Sequence, residues 1–209
     1  MPLPPARWGL VVPVKHLPLA KTRLRPYDDD VRRALALAMA CDVVVAAAAC
    51  PLVVGVLVVT SDADAARALA RLGARTAPDD PDDGLNAALE HGAELLRADD
   101  ADLGVAALAA DLPALRPGDL AAALGALGTG RGVVADHLGT GTTLLAAAPG
   151  SVLRAGYGPG SFSRHLSGGA VDLPAAAGLR LDVDTPEDLA AALRLGVGPR
   201  TAAVAAGLP

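Results

Sequence analysis

Aromatic side chains are almost missing from this 209-residue chain, which has one Trp, one Phe and two Tyr. Single strands of nucleic acid are gripped by stacking bases on rings, so no nucleic-acid partner of that kind is expected. A net charge of −5 also excludes a broad basic surface, and any anion site must be local. Cysteine is scarce too. Cys41 and Cys50 fit no CxxC or Cys/His metal spacing and read as small buried residues of a disulfide-free, cytoplasmic protein. No polar low-complexity linker divides the chain. The proline-rich residues 1–7 lead into no continuous apolar segment with a small-residue cleavage site, so no signal peptide is expected.

What is present is apolar bulk, at 52% of the residues. That suits one domain with a sizeable core, spanning about residues 8–195, followed by a loose tail over 196–209. Residues 34–59 resemble a membrane span preceded by Arg32 and Arg33. Asp42 and Pro51 argue against it, because a charge at bilayer depth costs roughly 3 kcal/mol on insertion scales. A helix over 31–49, a turn at Pro51 and a buried β-branched strand over 53–59 explain the same residues, so no membrane partner is expected.

The remaining pattern alternates. An apolar run over 10–14 is the first strand. Residues 63–72 form a helix that Thr60-Ser61-Asp62 can cap, 74–77 a short strand and 85–98 a helix with Asn86 in its first turn. The apolar run 103–109 leads into Asp111, and a helix follows from Pro117 to about 127. Short strands over 132–135 and 142–146 are joined through 136–141. A glycine-rich loop over 156–161 precedes a short helix near 162–166. A late strand is expected over 179–184, and Thr185-Pro186-Glu187-Asp188 is a strong helix start. Alternation of this kind predicts an α/β fold with a mixed, mostly parallel sheet and helices on both faces.

Ligands of such sheets sit at the carboxyl ends of the strands. The polar residues found there are Lys15, Lys21 and Arg23 after the first strand, Asp111, and Asp182 with Asp184. Three cations within nine residues suit phosphates, and three carboxylates suit a hard divalent cation such as Mg2+. Asp182 and Asp184, two apart on an extended segment, point to the same face. Taken singly, each has a plainer reading: an exposed basic loop, a turn residue at Asp111, a residue before a helix cap at Asp184.

Their combination is more specific. Val12-Pro13-Val14-Lys15 with Ala20-Lys21-Thr22-Arg23-Leu24, then Gly84-Leu85-Asn86, Asp111-Leu112-Pro113-Ala114-Leu115, Gly158-Pro159-Gly160-Ser161-Phe162 and Asp182-Val183-Asp184-Thr185-Pro186-Glu187-Asp188-Leu189 follow in order between about Trp8 and Leu195. On these motifs the chain resembles the CofC/FbiD family of nucleotidyltransferases, which make a guanylylated phospho-acid for coenzyme F-420.

The resemblance implies a single-domain, Rossmann-like, glycosyltransferase-A-like fold without the glycine-rich opening loop of many relatives. It implies transfer of GMP from GTP to phosphoenolpyruvate or 2-phospho-L-lactate, with magnesium required and pyrophosphate released. Asp111, Asp182 and Asp184 take the metal-ligand positions by that match, and Thr143, Gly158 and Ser161 those that hold the phospho-acid. Lys15, Lys21 and Arg23 would serve the phosphates, and the Gly84-Leu85-Asn86 turn the guanine or ribose. His16 departs from the pattern, standing where a small or apolar residue is expected. No Ser or Cys nucleophile is needed, because a phosphate monoester is already an anion near neutral pH. Other readings are a nucleotidyltransferase for a sugar phosphate or molybdopterin-type acceptor, or a non-catalytic nucleotide-binding subunit. The alanine-rich helices leave room for a homodimer.

Overall fold

The computed structural model describes residues 6–14, 24, 27–79 and 84–208. Apolar runs and helices alternate along it. Strand β1 (Trp8–Pro13) is followed by helix α1 (Asp29–Ala48), β2 (Val53–Val59), α2 (Ala63–Ala70), β3 (Arg75–Ala77), α3 (Leu85–Asp99) and β4 (Gly104–Leu108). Then come α4 (Pro117–Ala126), β5 (Arg131–Ala135), β6 (Thr142–Ala147), α5 (Ser161–Ser167), β7 (Ala170–Asp172), α6 (Ala177–Arg180), α7 (Pro186–Leu195) and α8 (Pro199–Ala205). The caps expected for α2 and α7 are formed, by Asp62 and a Thr185/Asp188 capping box, and Asp28 caps α1.

The seven strands form one sheet in the order β3-β2-β1-β4-β6-β5-β7, in which β6 alone runs against its neighbours. Strands β1, β2 and β4 carry nearly unbroken apolar side chains because both faces are covered. One face presents Leu10, Val12, Val58 and Leu108 to Val43, Val44 and Ala47 of α1 and to Leu120 and Leu124 of α4. The other presents Val11, Leu57, Val59 and Ala107 to Leu89, Ala93 and Leu96 of α3. The chain steps outward from β1 to β2 and β3, then returns to place β4 on the other side of β1. The switch point between β1 and β4 is where a doubly wound sheet opens a crevice for ligand.

Two expectations fail. Residues 179–184 do not make a strand: α6 occupies Ala177–Arg180 and the following residues join no ladder. Leu181 and Val183 alternate as a strand would, but they face a third apolar cluster with Leu35 and Met39 of α1 and Leu189 and Ala192 of α7. Nor is 196–209 a loose tail, since α8 is docked on α1. Buried Asp42, the residue that spoiled the membrane reading, accepts hydrogen bonds from the amides of Thr201 (2.8 Å) and Arg200 (3.3 Å). Its carboxylate thus caps a helix more than 150 residues away. The approach is close, for a Cβ on Gly198 would lie 2.3 Å from the Asp42 carboxyl carbon, and the Gly198 amide donates to the Pro113 carbonyl at 2.8 Å. Among the described residues, no helix is long and apolar enough to cross a membrane.

Asp42→Ala is expected to cost about 2–4 kcal/mol, because it strands the buried Thr201 amide and the part-buried Arg200 amide that now bond to a charge. Urea denaturation measures the loss, and hydrogen exchange should show 199–205 opening first.

Candidate active site

The loop after β4 and the segment before α7 are held against each other by one backbone bond, in which the Val183 amide donates to the Asp111 carbonyl at 3.0 Å. Val183 is fully buried, so the aspartates on either side of it, Asp182 and Asp184, are turned outward beside Asp111. The capping box fixes the far end of the segment: Asp188 accepts from the amides of Asp184 (3.1 Å) and Thr185 (2.9 Å). The three carboxylates expected to act together are therefore brought to the same neighbourhood, although no strand carries the second pair.

Their proximity has an electrostatic signature. Burial, reinforced by the negative charge of Asp111 and then of Asp184, raises the Asp182 carboxyl from its ordinary 3.8 to about 6. A hydrogen bond with His137 works in the opposite direction. The His137 ring bridges two carboxylates, with Nδ1 3.2 Å from Asp182 and Nε2 3.4 Å from Asp188. Oxygen donors under mutual repulsion suit a hard cation. Among the described residues, however, no three His, Cys, Asp or Glu side chains are arranged to hold a metal ion. Asp182 is engaged with His137 instead.

The glycine-rich loop lies over β4, where the Tyr157 hydroxyl donates to the Ala107 carbonyl at 3.4 Å. Gly158 (φ +129°) and Gly160 (φ +69°) take backbone conformations that side chains rarely adopt. Buried Ser161 opens α5, and its hydroxyl meets that of Thr142 at 3.0 Å. Thr143 is also buried, and its hydroxyl donates to the Leu179 carbonyl at 2.7 Å, so that hydroxyl is already committed. A register shift at Val134/Ala135 lies opposite Thr143, pairing Leu144 with Val134 but Thr142 with Ala135.

Gly84 (φ +88°) stands just before α3. Asn86 spends both ends of its amide on the backbone of Tyr157: Oδ1 accepts from the Tyr157 amide at 2.7 Å, and Nδ2 donates to its carbonyl at 3.2 Å. Its side chain reaches the glycine-rich loop from α3. Lys15, Lys21 and Arg23, with His16, lie outside the described residues.

Several residues that organise the site carry no motif. Asp136 builds the β5–β6 turn by accepting from the amides of Thr140 and Gly141, both at 2.8 Å. From that turn His137 faces Asp182, and the Thr140 carbonyl accepts from the Phe162 amide of α5 at 3.2 Å. His165 joins Thr142 to the Gly156 amide. The only sequence signal for Asp136 and His137 is their position between two short strands.

A mostly parallel sheet with a switch point, carboxylates after β4 and a glycine-rich loop over it fits a nucleotidyltransferase-type enzyme. Solved structures agree on the fold. A Desulfovibrio desulfuricans protein described as a nucleotide-diphospho-sugar transferase superposes with a TM-score of 0.77 at 17% identity, over 96% of this chain and 94% of that one. A Methanothermobacter nucleotidyl transferase gives 0.62 at 20% identity, over 90% and 97% of the two chains. Sequence similarity is more particular. The profile of the family described as "Guanylyl transferase CofC like" matches residues 9–203, and the chain belongs to that guanylyltransferase family. Phosphoenolpyruvate guanylyltransferase of Streptomyces scabiei is 58% identical over 210 residues, covering 97% of each chain. The protein of that name from Thermomonospora curvata is 54% identical over 205 residues, covering 97% of this chain and 90% of its own.

The raised Asp182 carboxyl makes a signed prediction. Folding is favoured while Asp182 is protonated, below about its ordinary 3.8, and that advantage is lost as pH rises through about 6. With no added metal, Asp182→Asn should stabilise the protein by about 1–2 kcal/mol at pH 8 and by nothing at pH 3.5. Denaturation at the two pH values reads the difference.

Proposed function

We propose that this chain transfers GMP from GTP to phosphoenolpyruvate with release of pyrophosphate, a step in making coenzyme F-420. Near-full-length identity to proteins named for that reaction supports the acceptor. The observation that carries the site is the Val183–Asp111 bond, which holds the two carboxylate-bearing segments side by side.

In this reading an oxygen of the acceptor's phosphate attacks the α-phosphorus of GTP. A new P–O bond forms there as the bond to the β-phosphate bridging oxygen breaks, and pyrophosphate leaves with the electron pair. The protein's work is alignment and charge neutralisation. Lys15, Lys21 and Arg23 serve the triphosphate, and the turn at Gly84 serves the nucleoside. The loop at Gly158 and Ser161, adjoining Thr143, receives the phospho-acid. Asp111, Asp182 and Asp184 would hold Mg2+, which supplies charge neutralisation at the reacting phosphates when bound. Their oxygen-only donor set and the mutual repulsion felt at Asp182 support that assignment.

Pyrophosphate release should be followed with magnesium and GTP, ATP or CTP against phosphoenolpyruvate, 2-phospho-L-lactate and 3-phosphoglycerate. The GTP and phosphoenolpyruvate pair should be the productive one, and silence with GTP and every acceptor would sink the assignment. Asp111→Asn should lower turnover by about 10²-fold or more while its thermal unfolding stays cooperative. Near-normal activity would remove Asp111 from the site.

A further inference from the structure

Five backbone groups of the glycine-rich loop are anchored by three side chains. The Gly156 amide donates to His165 Nε2 at 3.0 Å. Asn86 takes the Tyr157 amide and gives to the Tyr157 carbonyl. Arg164 donates to the Gly156 carbonyl at 2.7 Å and also to that of Pro159 at 3.0 Å. Because Nε2 accepts, the neutral His165 ring carries its proton on Nδ1 and can donate it to the Thr142 hydroxyl, 3.0 Å away. The same hydroxyl oxygen accepts from Ser161 at 3.0 Å. The ring also lies edge-on to Tyr157, with centroids 5.3 Å apart.

From this geometry we infer that His165 and Asn86 are positioning residues for the acceptor, holding the 156–161 loop in its binding shape before any substrate arrives. The inference rests on reading that loop as the phospho-acid site. Among the described residues, the amides of Gly158 and Gly160 have no acceptor, so the anchoring leaves them for a ligand. Burial, with lesser contributions from Arg131 and Arg164, pushes His165 down to about 4, which keeps Nε2 an acceptor near neutral pH. A loop already fixed loses little freedom when an anion binds, which lowers the acceptor concentration needed. Neither residue is required to touch substrate.

Steady-state kinetics with each substrate varied in turn tests this, alongside amide hydrogen exchange. His165→Ala and Asn86→Ala should each raise KM for phosphoenolpyruvate about tenfold, with KM for GTP within about twofold. His165→Gln, which can return an acceptor toward the Gly156 amide, should restore most of the loss. Asn86→Asp, which keeps Oδ1 but not the amide donor, should fall between. Exchange over 156–160 should rise in the alanine variants while the sheet stays protected. Unchanged exchange there overturns the clamp whatever the acceptor proves to be. Faster exchange with no change in acceptor KM overturns the loop's role in acceptor binding and leaves the guanylyltransferase reading intact. A rise in KM for GTP with Asn86→Ala would return Asn86 to the nucleotide.

Discussion

The hydrogen bond from the Val183 amide to the Asp111 carbonyl closes the candidate site. Strand β4 ends three residues before Asp111, and nothing in the sheet itself would bring Asp182 and Asp184 beside it, because their segment joins no ladder. The bond works only because Val183 is buried in the cluster formed with α1 and α7. Apolar burial supplies the anchoring and the backbone supplies the register. The outward side chains are then fixed by the pleat.

Holding three carboxylates together has a cost, visible in the raised Asp182 carboxyl. The surrounding structure offsets part of it locally. His137 lies between Asp182 and Asp188, and Asp188 is itself occupied by the amides of the α7 cap. Like charges held close together gain more free energy from a neighbouring cation than well-paired carboxylates would.

Much of this architecture was legible in the chain. Unbroken apolar runs at β1, β2 and β4 required a sheet covered on both faces, and Thr185-Pro186-Glu187-Asp188 announced α7 because every part of that cap is local. What was not legible depends on distant partners. The alternation of Leu181 and Val183 is the same whether the residues line a sheet or a helix-lined pocket, so a strand was expected where none forms. Helix α8 is weakly marked in its own composition, since its cap is Asp42, 159 residues from Thr201. The resemblance assigned Asn86 to the nucleotide side, and nothing local could show that its amide bonds to Tyr157, 71 residues away. Nothing local marks His165, whose importance comes from the two elements it touches.

Those two elements explain how the site could keep its two halves in register. The β5–β6 turn, held shut by Asp136, sends His137 toward Asp182 and offers the Thr140 carbonyl to α5, while Thr142 just beyond it meets Ser161 and His165. One short turn therefore touches both the carboxylate segment and the glycine-rich loop. In-line transfer between two bound anions demands a fixed separation more than it demands any single strong contact. Neutral amides suit the acceptor side of such a site, because fixed dipoles hold an anion in one orientation without adding a mobile charge that the triphosphate could capture. An uncharged histidine can accept from the Gly156 amide, which a lysine, having no acceptor, could not.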